Sequence, residues 1–211
     1  MDSDESTRWL TWVKALRSIA QAGLTYAEGP YDLERYEQIQ GIAAEIAATY
    51  ADADLAIVRD LFAGAIHYET PKIDVRGVVF KADAVLLVRE LMDGGRWTLP
   101  GGWADVNDRP SEAVEREVWE ESGYRVRATK LLALYDRRFH GHTPPKPWGV
   151  YKLFFECEIL GGEPTTSLET SGARFFAEDA IPELSISRTT PQQLARLFEL
   201  HRHPDWPTDF D

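Results

Sequence analysis

Gly101–Tyr124, GGWADVNDRPSEAVEREVWEESGY, is the stretch from which the rest of the chain is read. Its second half carries Glu117, Glu120 and Glu121 at spacings of three and four, which place three carboxylates on one face of a helix. Like charges so placed oppose helix formation by about 0.2–0.5 kcal/mol per pair. A compensating partner is therefore expected, and a hard divalent cation held by oxygen ligands is the simplest one. Gly123 supplies the left-handed residue at which helices commonly stop.

The chain has 211 residues, 44% hydrophobic and 27% charged, an ordinary balance for a folded globular protein of one large domain or two smaller ones. No apolar run approaches the roughly 18 residues of a membrane helix. The opening MDSDESTRWL is acidic and polar, unlike a signal or transit peptide, and Cys157 is the only cysteine, so a cytoplasmic location is expected. A net charge of −12 argues against a protein that grips nucleic-acid backbone through clustered Lys and Arg. It leaves room for a small phosphorylated substrate, because a metal inverts the local field of an acidic site.

Up to about residue 67 the pattern is helical. Trp9, Trp12, Val13, Leu16, Ile19 and Ala20 recur at threes and fours, with Gly23 placed to end the helix. Gly29-Pro30 punctuates a turn, and Asp32 is the expected N-cap of a second helix through Tyr36, Ile39, Ala43, Ile46 and Tyr50. A third is expected over about 53–66. Five Lys or Arg stand against twelve Asp or Glu up to Glu69, which disfavours a DNA-reading helix-turn-helix.

The texture changes after Thr70-Pro71. Val75–Phe80 and Ala84–Val88 are short branched runs that read as buried strands, and further strands are expected near 129–135, 149–160 and 173–176. A last helix from about Pro191 to His201 has proline at its first position. The expected architecture is a small all-helical module over residues 1–68, followed by an α/β (α+β) domain over residues 69–211 in which sheet and helices sandwich each other.

The stretch beginning at Gly102 resembles the Nudix hydrolase pattern G-x5-E-x7-R-E-U-x-E-E-x-G-U, anchored on Arg116-Glu117 and matched without a gap through Tyr124. Asp108 stands in place of the first Glu, and Tyr124 in place of an aliphatic residue. WTLPGGWADV is similar to the segment by which many of these enzymes enter the box. IAQAGLTYAEGPYDLERYEQI and the later LYDRRFHGHTPPKPWGVYKLFFECEILGGE resemble a subgroup acting on nucleoside diphosphates linked to another group, including CDP-choline pyrophosphatases.

The resemblance implies a Nudix-type mixed sheet and a pyrophosphatase dependent on Mg²⁺ or Mn²⁺. It implies Glu117, Glu120 and Glu121 as metal ligands with the Gly101 carbonyl, Glu120 and Glu121 serving catalysis as well. Arg116, four residues from both Glu112 and Glu120, would orient a box glutamate. The general base comes from a box glutamate or a later loop, where Glu169 is the candidate and Glu163 its rival. Arg76, Arg89 and Lys152 are candidate substrate cations, with His140 a possible phosphate contact and Trp103 the leading stacking residue beside Trp97, Phe139, Trp148 and Tyr151. His140 and His142 form an H-x-H, but nothing nearby completes a tetrahedral zinc set.

The substrate expected first is CDP-choline, cleaved to a nucleoside monophosphate and a phosphorylated second group, with ADP-ribose as the alternative. Two readings of other classes are a non-catalytic nucleotide sensor on the same fold, which would be expected to lose box carboxylates, and a protein-interaction adaptor using the N-terminal helices. The helical module is expected to form a homodimer and help wall the neighbouring site, since a small three-helix unit gains from an added buried face.

Overall fold

Periodicity in the first third produces three helices, α1 (Arg8–Tyr26), α2 (Pro30–Ala51) and α3 (Leu55–Ala63). The computed structural model describes residues 8–63, 70–146 and 148–211, so the ends of the third expected helix, the 68/69 boundary and Pro147 lie outside the described residues. Val13, Ala43, Ala44, Ala48, Val58 and Phe62 form the core of this unit, with Trp9 stacked on Tyr50 at 5.7 Å between ring centroids. Trp12 and Ile19, expected on the buried face of α1, are more than half exposed.

Two local expectations are corrected here. Gly23 does not end α1 but stays within it, because a Cβ there would collide with the Tyr36 ring of α2; the glycine is a packing residue. Asp32 is not the N-cap of α2. Gly29 is extended, Pro30 occupies the first helical position that its fixed φ favours, and Asp32 falls in the first turn, paired with Arg35 at 3.0 Å.

The second unit runs from Lys72, apart from Pro145, Lys146 and Trp148, which are grouped with the N-terminal unit. It contains β1 (Lys72–Lys81), β2 (Ala84–Glu90), β3 (Trp97–Thr98), α4 (Pro110–Ser122), β4 (Tyr124–Asp136), β5 (Val150–Gly162), β6 (Thr170–Ala177), α5 (Pro191–Arg202) and β7 (Asp209–Phe210). The strands form a mixed sheet in the order β3-β2-β1-β5-β4-β7, with β6 also paired to β2. The parallel β1–β5 pair and the antiparallel β4–β5 pair make it mixed, as expected. Strands β3 and β7, only two residues each, carry too little periodicity to be read from sequence.

Alternation along β1 and β2 sends side chains to opposite faces. Val75, Val79, Leu86 and Val88 pack with Val114 and Val118 of α4. Val78, Leu87, Phe154 and Leu132 pack with Leu194, Leu197 and Phe198 of α5 on the other side. The sheet is thus sandwiched between the glutamate-bearing helix and the last helix. Gly77 permits the close approach of α4, since a Cβ there would strike Cγ2 of Val118. Among the described residues no helix is long and apolar enough to cross a membrane.

Candidate active site

Helix α4 starts at Pro110 and ends at Gly123, whose φ of 79° is left-handed and whose N–H donates to Trp119 O at 2.8 Å. Its carboxylates face the Pro100-Gly101-Gly102 turn. That turn lies along β1 through two backbone bonds, Gly77 N–H to Pro100 O at 2.8 Å and Val75 N–H to Gly102 O at 2.9 Å. Gly101 is required by the backbone, and Gly102 leaves room for the Glu117 carboxylate. Gly101 has φ of 142° and no room for a Cβ against Val75 O, and a Cβ on Gly102 would sit 2.7 Å from Glu117 Oε2.

Turn, helix and the 167–169 loop enclose a cleft of about 570 Å³. Of the expected site residues, Gly101, Arg116, Glu117, Glu120, Glu121, Glu169, Arg76 and Trp103 line it. Asp105, Glu90 and Arg188 line it as well. Glu163 is outside this lining, so Glu169 is the loop carboxylate that the cleft receives.

Arg116 holds the acidic group together. Its Nη1 donates to Glu117 Oε1 at 2.8 Å and Glu120 Oε2 at 3.2 Å, and its Nη2 to Asp108 Oδ2 at 3.2 Å. Asp108, the shorter acid in the box, is therefore an anchor for this arginine. Of its two candidate partners Arg116 takes Glu120; Glu112 lies 3.6 Å from Arg109 instead. Burial raises the Glu117 carboxyl above its usual range despite Arg116 beside it. Glu121 accepts the Gly101 N–H at 2.8 Å and is almost completely buried. Burial pushes its pKa up to about 8, more than Arg76 and the Gly101 N–H hold it down, and burial likewise raises Glu90.

Among the described residues no three acids or imidazoles converge on one point. Glu117 and Glu120 turn to Arg116, and Glu121 to Gly101. The donors nonetheless suit a hard cation. They are all oxygen, and burial makes the negative charge of Glu90, Glu117 and Glu121 unfavourable without a further positive charge in the cleft.

Behind the cleft lies an ion cluster. Parallel register sets Asp74 of β1 beside Lys152 of β5, and the Lys152 Nζ reaches Asp74 Oδ2 at 2.7 Å. Arg76 clamps the same carboxylate through Nε at 2.7 Å and Nη2 at 3.3 Å, while its Nη1 donates to Leu99 O at 3.1 Å. Two cations share one carboxylate, so the partners shift unequally. Although burial opposes its charge, Asp74 falls to about 2 under the pull of Arg76 and Lys152. Lys152 also falls, to about 7, because burial outweighs the half-share of Asp74 left to it.

Three of the expected substrate contacts do not line the cleft. Lys152 is fully buried with its Nζ on Asp74 and does not line the cleft. Arg89 faces a different depression with Trp97 and Arg174, and its Nε donates to Gly95 O at 2.9 Å. His140 stacks on Tyr135 at 4.1 Å and lies 2.7 Å from Asp211 Oδ1. The H-x-H pair is split, since His142 is buried with Nδ1 2.8 Å from Ile186 O. Trp97 packs edge-on against Phe176, leaving Trp103, which lines the cleft, as the stacking candidate of the five aromatics.

Such an arrangement suits hydrolysis of a phosphoric anhydride, with acidic oxygens and a side-chain-free turn meeting at one cleft, and that is the work of a Nudix hydrolase. The chain belongs to the Nudix family: residues 70–197 match the NUDIX domain, and residues 7–62 match the "UDP-X-like, N-terminal oligomerisation domain". It is similar to the Bacillus subtilis (strain 168) protein named "Putative ADP-ribose pyrophosphatase YjhB", 45% identical over 97% of this chain and 98% of that one. The crystal structure of a UDP-X diphosphatase is 28% identical and covers 98% of this chain and 99% of its own, with a TM-score of 0.63. That of an ADP-ribose pyrophosphatase from Streptococcus suis 89-1591 is 39% identical over 67% of this chain and 100% of its own, with a TM-score of 0.61.

Proposed function

We propose that the enzyme, a Nudix pyrophosphohydrolase, cleaves a nucleoside diphosphate linked to a second group, and that ADP-ribose is its first substrate. The observation that carries the choice is the full-length relative at 45% identity, which is named "Putative ADP-ribose pyrophosphatase YjhB". ADP-ribose thereby moves ahead of CDP-choline, which the N-terminal helices alone had favoured. A UDP-linked group is the second reading, supported by the match of residues 7–62 and by the UDP-X diphosphatase structure.

Glu117, Glu120, Glu121 and the Gly101 carbonyl would hold Mg²⁺ or Mn²⁺. When bound, such an ion neutralises diphosphate oxygens and makes water a better nucleophile. The protein's own contribution is placement. Arg116 fixes Glu117 and Glu120, the Gly101 N–H fixes Glu121, and the bare turn admits the diphosphate. Glu169 accepts a proton as water attacks phosphorus and the bridging P–O bond breaks, leaving two phosphate monoesters. Trp103, about half exposed at the cleft, offers a stacking face for the base.

A panel of ADP-ribose, CDP-choline, CDP-ethanolamine, NADH, a diadenosine polyphosphate and dNTPs tests the reading. Mg²⁺-dependent conversion of ADP-ribose to AMP and ribose phosphate is expected to have the highest kcat/KM, and a dNTP in first place would overturn it. We further propose that the N-terminal unit makes a homodimer. Trp12, Ile19, Ile42, Ile57 and Leu61 remain more than half exposed on its helices, and the matched domain is described as an oligomerisation domain. Size exclusion with light scattering should return a dimer mass; a clean monomer rejects it.

A further inference from the structure

Three arginines line the cleft, and two are committed. Arg76 spends Nε, Nη1 and Nη2 on Asp74 and Leu99 O and is almost wholly buried. Arg116 is surrounded by Asp105, Asp108, Glu117 and Glu120. The third, Arg188, comes from the segment ahead of α5, outside the Nudix box. Its Nε lies 3.2 Å from Glu90 Oε1, and its Nη1 donates to Ser185 Oγ at 3.3 Å. Nη1 also lies 4.0 Å from Asp93 Oδ2, while Nη2 donates no hydrogen bond to any described residue, and the side chain is 30% exposed.

The segment bearing Arg188 is held firmly. Ser185 N–H donates to Trp97 O at 2.8 Å, and Thr189 Oγ1 meets Thr98 Oγ1 at 2.9 Å and the Leu99 N–H at 3.3 Å. Glu90 is also fixed, buried at the end of β2 with its N–H on Arg96 O at 2.9 Å. A guanidinium aimed by a buried carboxylate, with one N–H edge left over, is preorganised for an oxyanion. A diphosphate entering a cleft lined by Glu90, Asp105, Glu117, Glu120, Glu121 and Glu169 needs such a cation as well as any metal.

We infer that Arg188 binds a phosphate oxygen of the substrate through Nη2, and that Glu90 is the positioning residue that aims it. The inference rests on the proposed hydrolysis of a nucleoside diphosphate. Arg188→Ala should raise KM for the best panel substrate by about ten-fold or more, as loss of a charge-assisted hydrogen bond implies, with kcat changed less than about three-fold. Arg188→Lys should recover part of that loss, and Glu90→Gln should raise KM with Arg188 still in place.

Calorimetric titration of AMP against adenosine, run without turnover, separates failure of the inference from failure of the functional reading. Wild type should prefer AMP, Arg188→Ala should lose that preference, and Arg174→Ala, outside the cleft, should keep it. If Arg188→Ala lowers the melting temperature while KM and the AMP preference stay unchanged, Arg188 merely neutralises Glu90 and the inference is overturned. If wild type hydrolyses no panel member, the functional reading fails and the AMP titration alone decides Arg188, with equal affinity in wild type and Arg188→Ala rejecting it.

Discussion

Glu121→Gln is expected to reduce kcat by about 10²–10³-fold, the range for removing one electrostatic contributor to the transition state, with the fold intact. The carboxylate is buried at the junction of α4 and the Pro100–Gly102 turn, and the Gly101 N–H bonds its Oε2. A glutamine can keep a bond to that N–H through its carbonyl oxygen, so the turn is retained while the charge is lost. Because burial already disfavours this charge, the melting temperature without metal should hold or rise in the variant. Steady-state kinetics with Mg²⁺ held well above saturation, set beside thermal melts without it, give both numbers. Unchanged kcat would remove Glu121 from the machinery; lost activity with a collapsed melting temperature would make its role structural.

Asp74→Asn is expected to destabilise the domain by about 3–5 kcal/mol, the usual consequence of removing one partner from a buried ion cluster. Arg76 and Lys152 then share a buried site without the one carboxylate that hydrogen-bonds both. Asp74 is held at about 2 against an ordinary 3.8. A depressed carboxyl of this kind contributes stability that is complete above 3.8 and disappears as pH falls through about 2. The gap between wild type and variant should therefore be smaller at pH 3 than at pH 7, as read by urea denaturation at each pH. A gap unaffected by pH would mean that packing, and not charge, carries the effect. Arg76 is also released from its clamp, so kcat/KM should fall even where the variant remains folded.

The parts of the site visible in the sequence are those decided within one helix or one turn. Glu117, Glu120 and Glu121 share a face because 3.6 residues make a turn, and Gly123 ends α4 because glycine adopts its left-handed φ. Arg76, in a predicted strand, and Glu169, in a predicted loop, both line the cleft. Arg89 and Lys152 lie outside that lining, because a strand residue points to either face and only packing decides which. Arg89 lines a different depression, and Lys152 is buried with its Nζ on Asp74. The Gly23 and Asp32 errors have a similar origin, since a helix continues past a glycine when a neighbouring ring needs the space.

The family and the class of bond broken are legible in the sequence through the resemblance of its box to the Nudix pattern, and the sandwich of sheet between helices through periodicities that are local. The tertiary structure decided which distant residues meet. Parallel register between β1 and β5 brings Asp74 to Lys152 across 78 positions, and the segment before α5 brings Arg188 to Glu90 at the end of β2. Gly77 is required only because Val118 of α4 packs against it. Such pairings depend on how strands align and where loops return, and no periodicity in the chain records that.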